Sequence, residues 1–111
     1  MNRNRWHILR EDGALTMARR VPVRFDLSAS TYLPGGDKLR LARQVRQDVW
    51  RALRDLRGFA PAVRVEDCAQ GLRVTAGGQV EGRLPRKQAE ARIAALLACE
   101  TMRARWVRWA S

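Results

Sequence analysis

Between Lys38 and Arg57 the apolar residues Leu39, Ala42, Val45, Val49, Ala52, Leu53 and Leu56 recur at threes and fours. That spacing gathers them on one side of an α-helix, and such a helix needs a second layer to cover it. Asp37 stands where an N-cap is wanted, Gly58 suits a C-terminal cap, and Pro61 follows where a helix cannot continue. The second layer is supplied by alternation of period two. Val21, Val23, Phe25 and Leu27 alternate with Pro22, Arg24, Asp26 and Ser28, and Pro22 places the start of this strand at a sheet edge. Val63 with Val65, Leu72 with Val74, and Val80 with Leu84 form three further short runs, divided at Gln70-Gly71 and Gly77-Gly78, which read as hairpin turns. Pro85 precedes a second helix running from Arg86 into the tail, with Ala89, Ile93, Leu96, Leu97 and Ala104 along one face. The order β-α-β-β-β-α predicts an α+β two-layer sandwich, both helices lying on one face of a mostly antiparallel sheet. Residues 1–19 show no sustained periodicity and are expected to be a weakly ordered basic arm before a single domain over 20–111. Met17, just ahead of the first strand, is an alternative start to Met1.

A chain of 111 residues has room for one modest core. Its net charge of +11 repels itself in the compact state and attracts phosphate-rich partners. Twenty of the 22 basic residues are Arg, a bias that GC-rich coding also produces, so the placement of the charge says more than its total. Residues 1–36 carry +3, residues 37–58 carry +4, residues 59–85 are neutral, and residues 86–111 carry +4. The predicted strands thus offer neither surplus charge nor an aromatic platform for a single strand. Binding is expected from the helices and termini.

On the first helix Arg40, Gln47, Arg51 and Arg54 fall opposite the leucines and valines, with Arg43 near the boundary. Arginines there can donate to successive phosphates, and Gln47 can meet a base edge. An ordinary solvated helix face has the same pattern, and Asp48 and Asp55 on its margin partly neutralise it. Trp50 lies where the apolar arc meets Arg43, Arg46 and Arg54, a place that suits the rim of a core as well as a stacking surface. The tail MRARWVRWAS interleaves Trp106 and Trp109 with Arg103, Arg105 and Arg108, which suits nucleic acid, a membrane surface or a partner protein. In one continuous helix Ala95, Cys99, Met102, Trp106 and Trp109 form a stripe separate from Ile93 and Leu97. Such a stripe needs a cover, from the arm, a second copy of the chain or another protein.

Groups for catalysis are missing from the pattern. His7 is the single histidine, and Cys68 and Cys99 lie 31 residues apart without CxxC spacing, which argues against an intrachain zinc site. With no apolar secretory segment, the thiols are expected to be reduced and buried in a cytoplasmic protein. Arginines interrupt every apolar run, so no membrane span is expected. Asp26, Glu66, Asp67 and Glu81 default to solvation or pairing with arginine. Gly35-Gly36-Asp37-Lys38 lacks the GxxxxGK[ST] spacing of a phosphate loop and reads as a helix cap. Neither an enzyme nor a cofactor is expected.

The predicted order of helix, three strands and helix over residues 37–106 resembles, in topology only, a double-stranded-RNA-binding domain. RKQAEARIAALLA from Arg86 looks like that family's final helix, which begins with adjacent basic residues. The resemblance implies that Arg86, Lys87 and Arg83 face phosphates across a groove. The loop Ala69–Gly71 is shorter than the family's minor-groove loop, and the strand at Val21–Leu27 is additional. The leading expectation is a small nucleic-acid-binding accessory protein of DNA or RNA. Phosphate contacts would come from Arg40, Arg43, Arg51 and Arg54, from Arg86 and Lys87, and from Arg105 and Arg108. The alternative is an assembly or adaptor subunit docking on a protein partner, or on itself, through the tryptophan stripe, with a membrane-surface role third.

Overall fold

A computed structural model describes residues 6–111. Three strands, β1 (His7–Glu11), β2 (Ala14–Ala18) and β3 (Leu27–Leu33), precede helix α1 (Lys38–Leu53). Two long strands follow, β4 (Phe59–Cys68) and β5 (Gly71–Val80), and then helices α2 (Arg86–Ala98) and α3 (Glu100–Ala110). The strands form one open antiparallel sheet in the order β1-β2-β4-β5-β3. The fold is α+β, as the two periodicities predict. Register places Leu15 opposite Val65 and Val65 opposite Val74, and beside them Met17 opposite Val63 and Val63 opposite Ala76. These residues are buried in one core with Val45 and Val49 of α1, Ile93 and Leu97 of α2, and Trp106 of α3.

Helix α1 starts where expected, because the Asp37 carboxylate accepts from the Arg40 N–H at 2.8 Å. It ends a turn earlier than Gly58, at Leu53, with Arg54 as C-cap. There the Leu56 N–H turns back to the Leu53 carbonyl, and an Arg92 guanidinium from α2 donates to the Ala52 carbonyl. A cross-helix cap thus replaces the glycine cap. Gly58 instead lies in the turn before β4 with φ +74°, where a Cβ would strike the Glu81 carbonyl oxygen.

Several expectations are corrected. Residues 7–18 are not a loose arm but the β1–β2 hairpin, turning at Asp12-Gly13 with Gly13 at φ +71°. All five residues of β2 are buried. The strand expected at Val21–Leu27 lies instead at Leu27–Leu33, over most of what reads as a loop. The cause is topological: β2 and β3 lie on opposite sides of the β4–β5 pair, so residues 19–26 must cross from one to the other. Main-chain bonds from Arg19 N–H to Pro61 and from Asp26 N–H to Gly78 pin that crossing, and Asp26 Oδ2 accepts from Val80 N–H at 2.8 Å. Gly77-Gly78 is no turn but part of β5, since a Cβ on Gly77 would strike the Leu27 carbonyl oxygen and one on Gly78 that of Ala60. The glycines let β3 and β4 approach β5 closely. Between the first and second helices there are therefore two long strands, and the likeness to a double-stranded-RNA-binding domain, which needs three, does not hold.

The last helix is also two. Cys99 takes an extended conformation, φ −67° and ψ 115°, and divides α2 from α3. Arg103 braces the break: Nη1 donates to the Leu97 carbonyl at 3.0 Å and to Thr31 Oγ1 at 2.6 Å, and Nη2 to the Tyr32 carbonyl at 2.7 Å. Released from the line of α2, α3 packs along α1 in the opposite direction. Its end meets the start of α1, where the Asp37 N–H donates to the Ala110 carbonyl at 2.8 Å.

Candidate nucleic-acid interface

The side of α1 away from the core carries Arg40, Arg43, Gln47, Arg51 and Arg54, all exposed. At 1.5 Å per residue the row from Arg40 to Arg54 is about 21 Å long. The two carboxylates expected to neutralise it are engaged elsewhere. Asp48 is 5% exposed and lies inside the fold, where it accepts from the Arg105 guanidinium and, at 2.6 Å, from Trp106 Nε1. Asp55 pairs with Arg92 of α2 at 3.0 Å, and that guanidinium holds its carboxyl below the usual carboxylate range. Among the described residues, none of Arg40, Arg43, Arg51 and Arg54 has an Asp or Glu side chain as partner. Arg40 donates to the Ser111 main-chain oxygen at 3.4 Å, and the Arg54 guanidinium stands 5.7 Å from the centre of the Trp50 ring.

Aromatic rings flank the row. Near the start of α1, Trp109 is 61% exposed and lines a shallow cleft with Arg40, Arg43 and Gln44. Nearer its end, Trp50 is 48% exposed and lines a cleft of about 520 Å³ with Trp6, Arg19, Arg46, Gln47, Phe59 and Pro61. Gln47 belongs to both the row and this cleft. Guanidiniums and indoles in this alternation suit a chain that presents phosphates and flat bases together.

The other candidate residues fall differently. Arg105 is held by Asp48, and its Nε is buried without a partner among the described residues. Arg108 is exposed at the outer end of α3. Arg86 lines a separate cleft with Arg83, Asp26 and Phe25 and lies 3.9 Å from Glu90, while Lys87 beside it is exposed. The Ala95, Cys99, Met102, Trp106, Trp109 stripe does not form, because the break at Cys99 rotates its two halves apart. Ala95 is exposed, Cys99 and Met102 are half-buried, Trp106 is fully buried, and Trp109 turns toward Arg40 and Arg43. The cover that Trp106 needs is the chain's own α1.

Trp6, Arg19 and Phe59 carry no binding signal in a linear reading, because the cleft exists only once the β1–β2 hairpin joins the sheet. The Asp12-Gly13 dipeptide between HILRE and ALTMA is the signal that locates the hairpin. Cys68 and Cys99 are free, half-buried thiols, not the buried ones expected. Among the described residues no three His, Cys, Asp or Glu side chains gather as a metal-holding group, and no helix is long and apolar enough to cross a membrane. Set against known proteins, the chain matches no family model, no curated protein and no solved structure.

Proposed function

We propose that this protein binds nucleic acid, without catalysis, through the outward face of α1. The observation that carries the reading is the exposed row of Arg40, Arg43, Arg51 and Arg54, left without Asp or Glu partners among the described residues because Asp48 and Asp55 are engaged by Arg105 and Arg92. A row of guanidiniums on a rigid helix contacts phosphates of any sequence, and the net charge of +11 draws the polyanion in. Arg108 and the exposed Trp109 extend the surface beyond the start of α1.

Contacts to about six phosphates imply that the log of the affinity for duplex DNA falls against the log of salt concentration with a slope of roughly −5. Titration of a labelled duplex at several salt concentrations measures it. The double variant Arg43→Glu, Arg51→Glu, made at exposed positions, should keep the fold by circular dichroism and weaken binding to all sequences alike by about 100-fold. A flat salt response in the native protein, or no binding at low salt, overturns the reading.

A further inference from the structure

The cleft between α1 and the end of the sheet differs from the arginine row in containing a cation that the fold has partly withdrawn from water. Arg46 is half-buried, its guanidinium lies 4.8 Å from the centre of the Trp6 ring, and it donates to Met17 Sδ at 3.7 Å. No carboxylate among the described residues reaches it. Burial and the like charge of Arg43 together lower its pKa, so an anion arriving in the cleft relieves a desolvated cation. Arg19 lies over the same indole at 5.9 Å. Trp6 thus holds two guanidiniums at one side of the cleft, and the exposed Trp50 ring lines it too, with the Gln47 amide one turn away along α1.

We infer that this cleft takes one unpaired nucleotide of a single strand, its base stacked on Trp50, its edge met by Gln47 and its phosphate held by Arg46 and Arg19. Charge complementarity chooses the occupant: a flat apolar ring alone satisfies Trp50 and Phe59 but leaves Arg46 unpaired, and a free phosphate does the reverse. A nucleotide supplies both, and its base is accessible only where it is not stacked in a duplex. The volume of about 520 Å³ is within the ordinary range of ligand clefts. The inference rests on the arginine-row reading and adds to it a preference for single strands.

The test measures fluorescence anisotropy of three labelled probes with the full chain: a thymidylate oligomer of about 15 nucleotides, a uridylate oligomer of the same length, and a mixed-sequence duplex. Both single strands are expected to bind about tenfold more tightly than the duplex. Trp50→Ala, at an exposed position, should lower single-strand affinity about tenfold and leave the duplex within about twofold, whereas Trp50→Phe should retain most of the single-strand affinity. Single-strand affinity unchanged by Trp50→Ala, or equal to that for the duplex, overturns the cleft while leaving the arginine row in place. Failure of all three probes to bind at low salt removes both.

Discussion

Helices α1 and α3 both carry arginines and tryptophan and lie side by side, yet Arg103, Arg105 and Trp106 of α3 are put to a different use from Arg40, Arg43, Arg51 and Trp50 of α1. On α1 Arg40, Arg43 and Arg51 face outward without an Asp or Glu partner among the described residues, and Trp50 is half exposed. On α3 Arg103 is spent on carbonyls and Thr31, Arg105 on Asp48, and Trp106 on the core. The contact between the helices creates the difference: by taking Asp48 inward, α3 removes a negative charge from the surface of α1. Composition therefore says little about which arginine is a binding group. What separates them is whether an acceptor lies within reach, and acceptors are distributed by the fold.

The largest expected effect separates the two tail tryptophans. Removing a fully buried indole leaves a cavity, so Trp106→Ala should destabilise by about 4 kcal/mol, whereas Trp109→Ala should stay within about 0.5 kcal/mol, both measured by denaturant unfolding. Equal effects would mean that α3 does not pack as described. Next, Arg105→Gln leaves Asp48 buried with Trp106 as its remaining donor. With allowance for solvent screening at the partly exposed guanidinium, the expected loss is about 2 kcal/mol. The salt slope for duplex binding should not change.

Arg51→Gln should show the reverse pattern, with stability unchanged within about 0.5 kcal/mol and the salt slope reduced by about 1. If Arg105→Gln instead altered the slope as much as Arg51→Gln does, the contrast between the helices would fail. The smallest effect concerns Asp55, whose folded pKa is lowered first by its hydrogen bond to Arg92. A carboxyl with a lowered folded pKa stabilises fully above its unfolded value, about 3.9, and that stabilisation is lost as pH falls through the folded value. Asp55→Asn should therefore flatten the acid limb of the stability profile below about pH 4, read by unfolding at successive pH values.

The parts of the fold legible in the sequence are those carried by short-range pattern. Helix α1 was legible because its apolar spacing, the Asp37 cap and the arginines opposite all lie within one segment. The turn at Ala69–Gly71 was legible for the same reason. The arginine row was legible as a row, but its lack of carboxylate partners was not, because Asp48 meets Trp106 58 residues away. Gly77-Gly78 misled because a glycine pair in a turn and one admitting two close neighbouring strands look alike in one dimension. Cys99 gave no sign of the break, since neither proline nor glycine marks it and the brace comes from Arg103, Thr31 and the Tyr32 carbonyl.

Periodicities of two and 3.6 residues were enough to specify an α+β sandwich, because each records which side of a local element is apolar. Segment counts placed the surplus charge on the helices and termini and left residues 59–85 neutral. Only the tertiary structure decided the five-strand order, the entry of the β1–β2 hairpin into the sheet, and the pairing of Asp48 and Asp55 away from the arginine row. Those outcomes depend on contacts between residues distant in the chain, and a desolvated carboxylate or indole settles wherever packing brings it a partner. Whether an arginine remains available to a phosphate follows from that settlement.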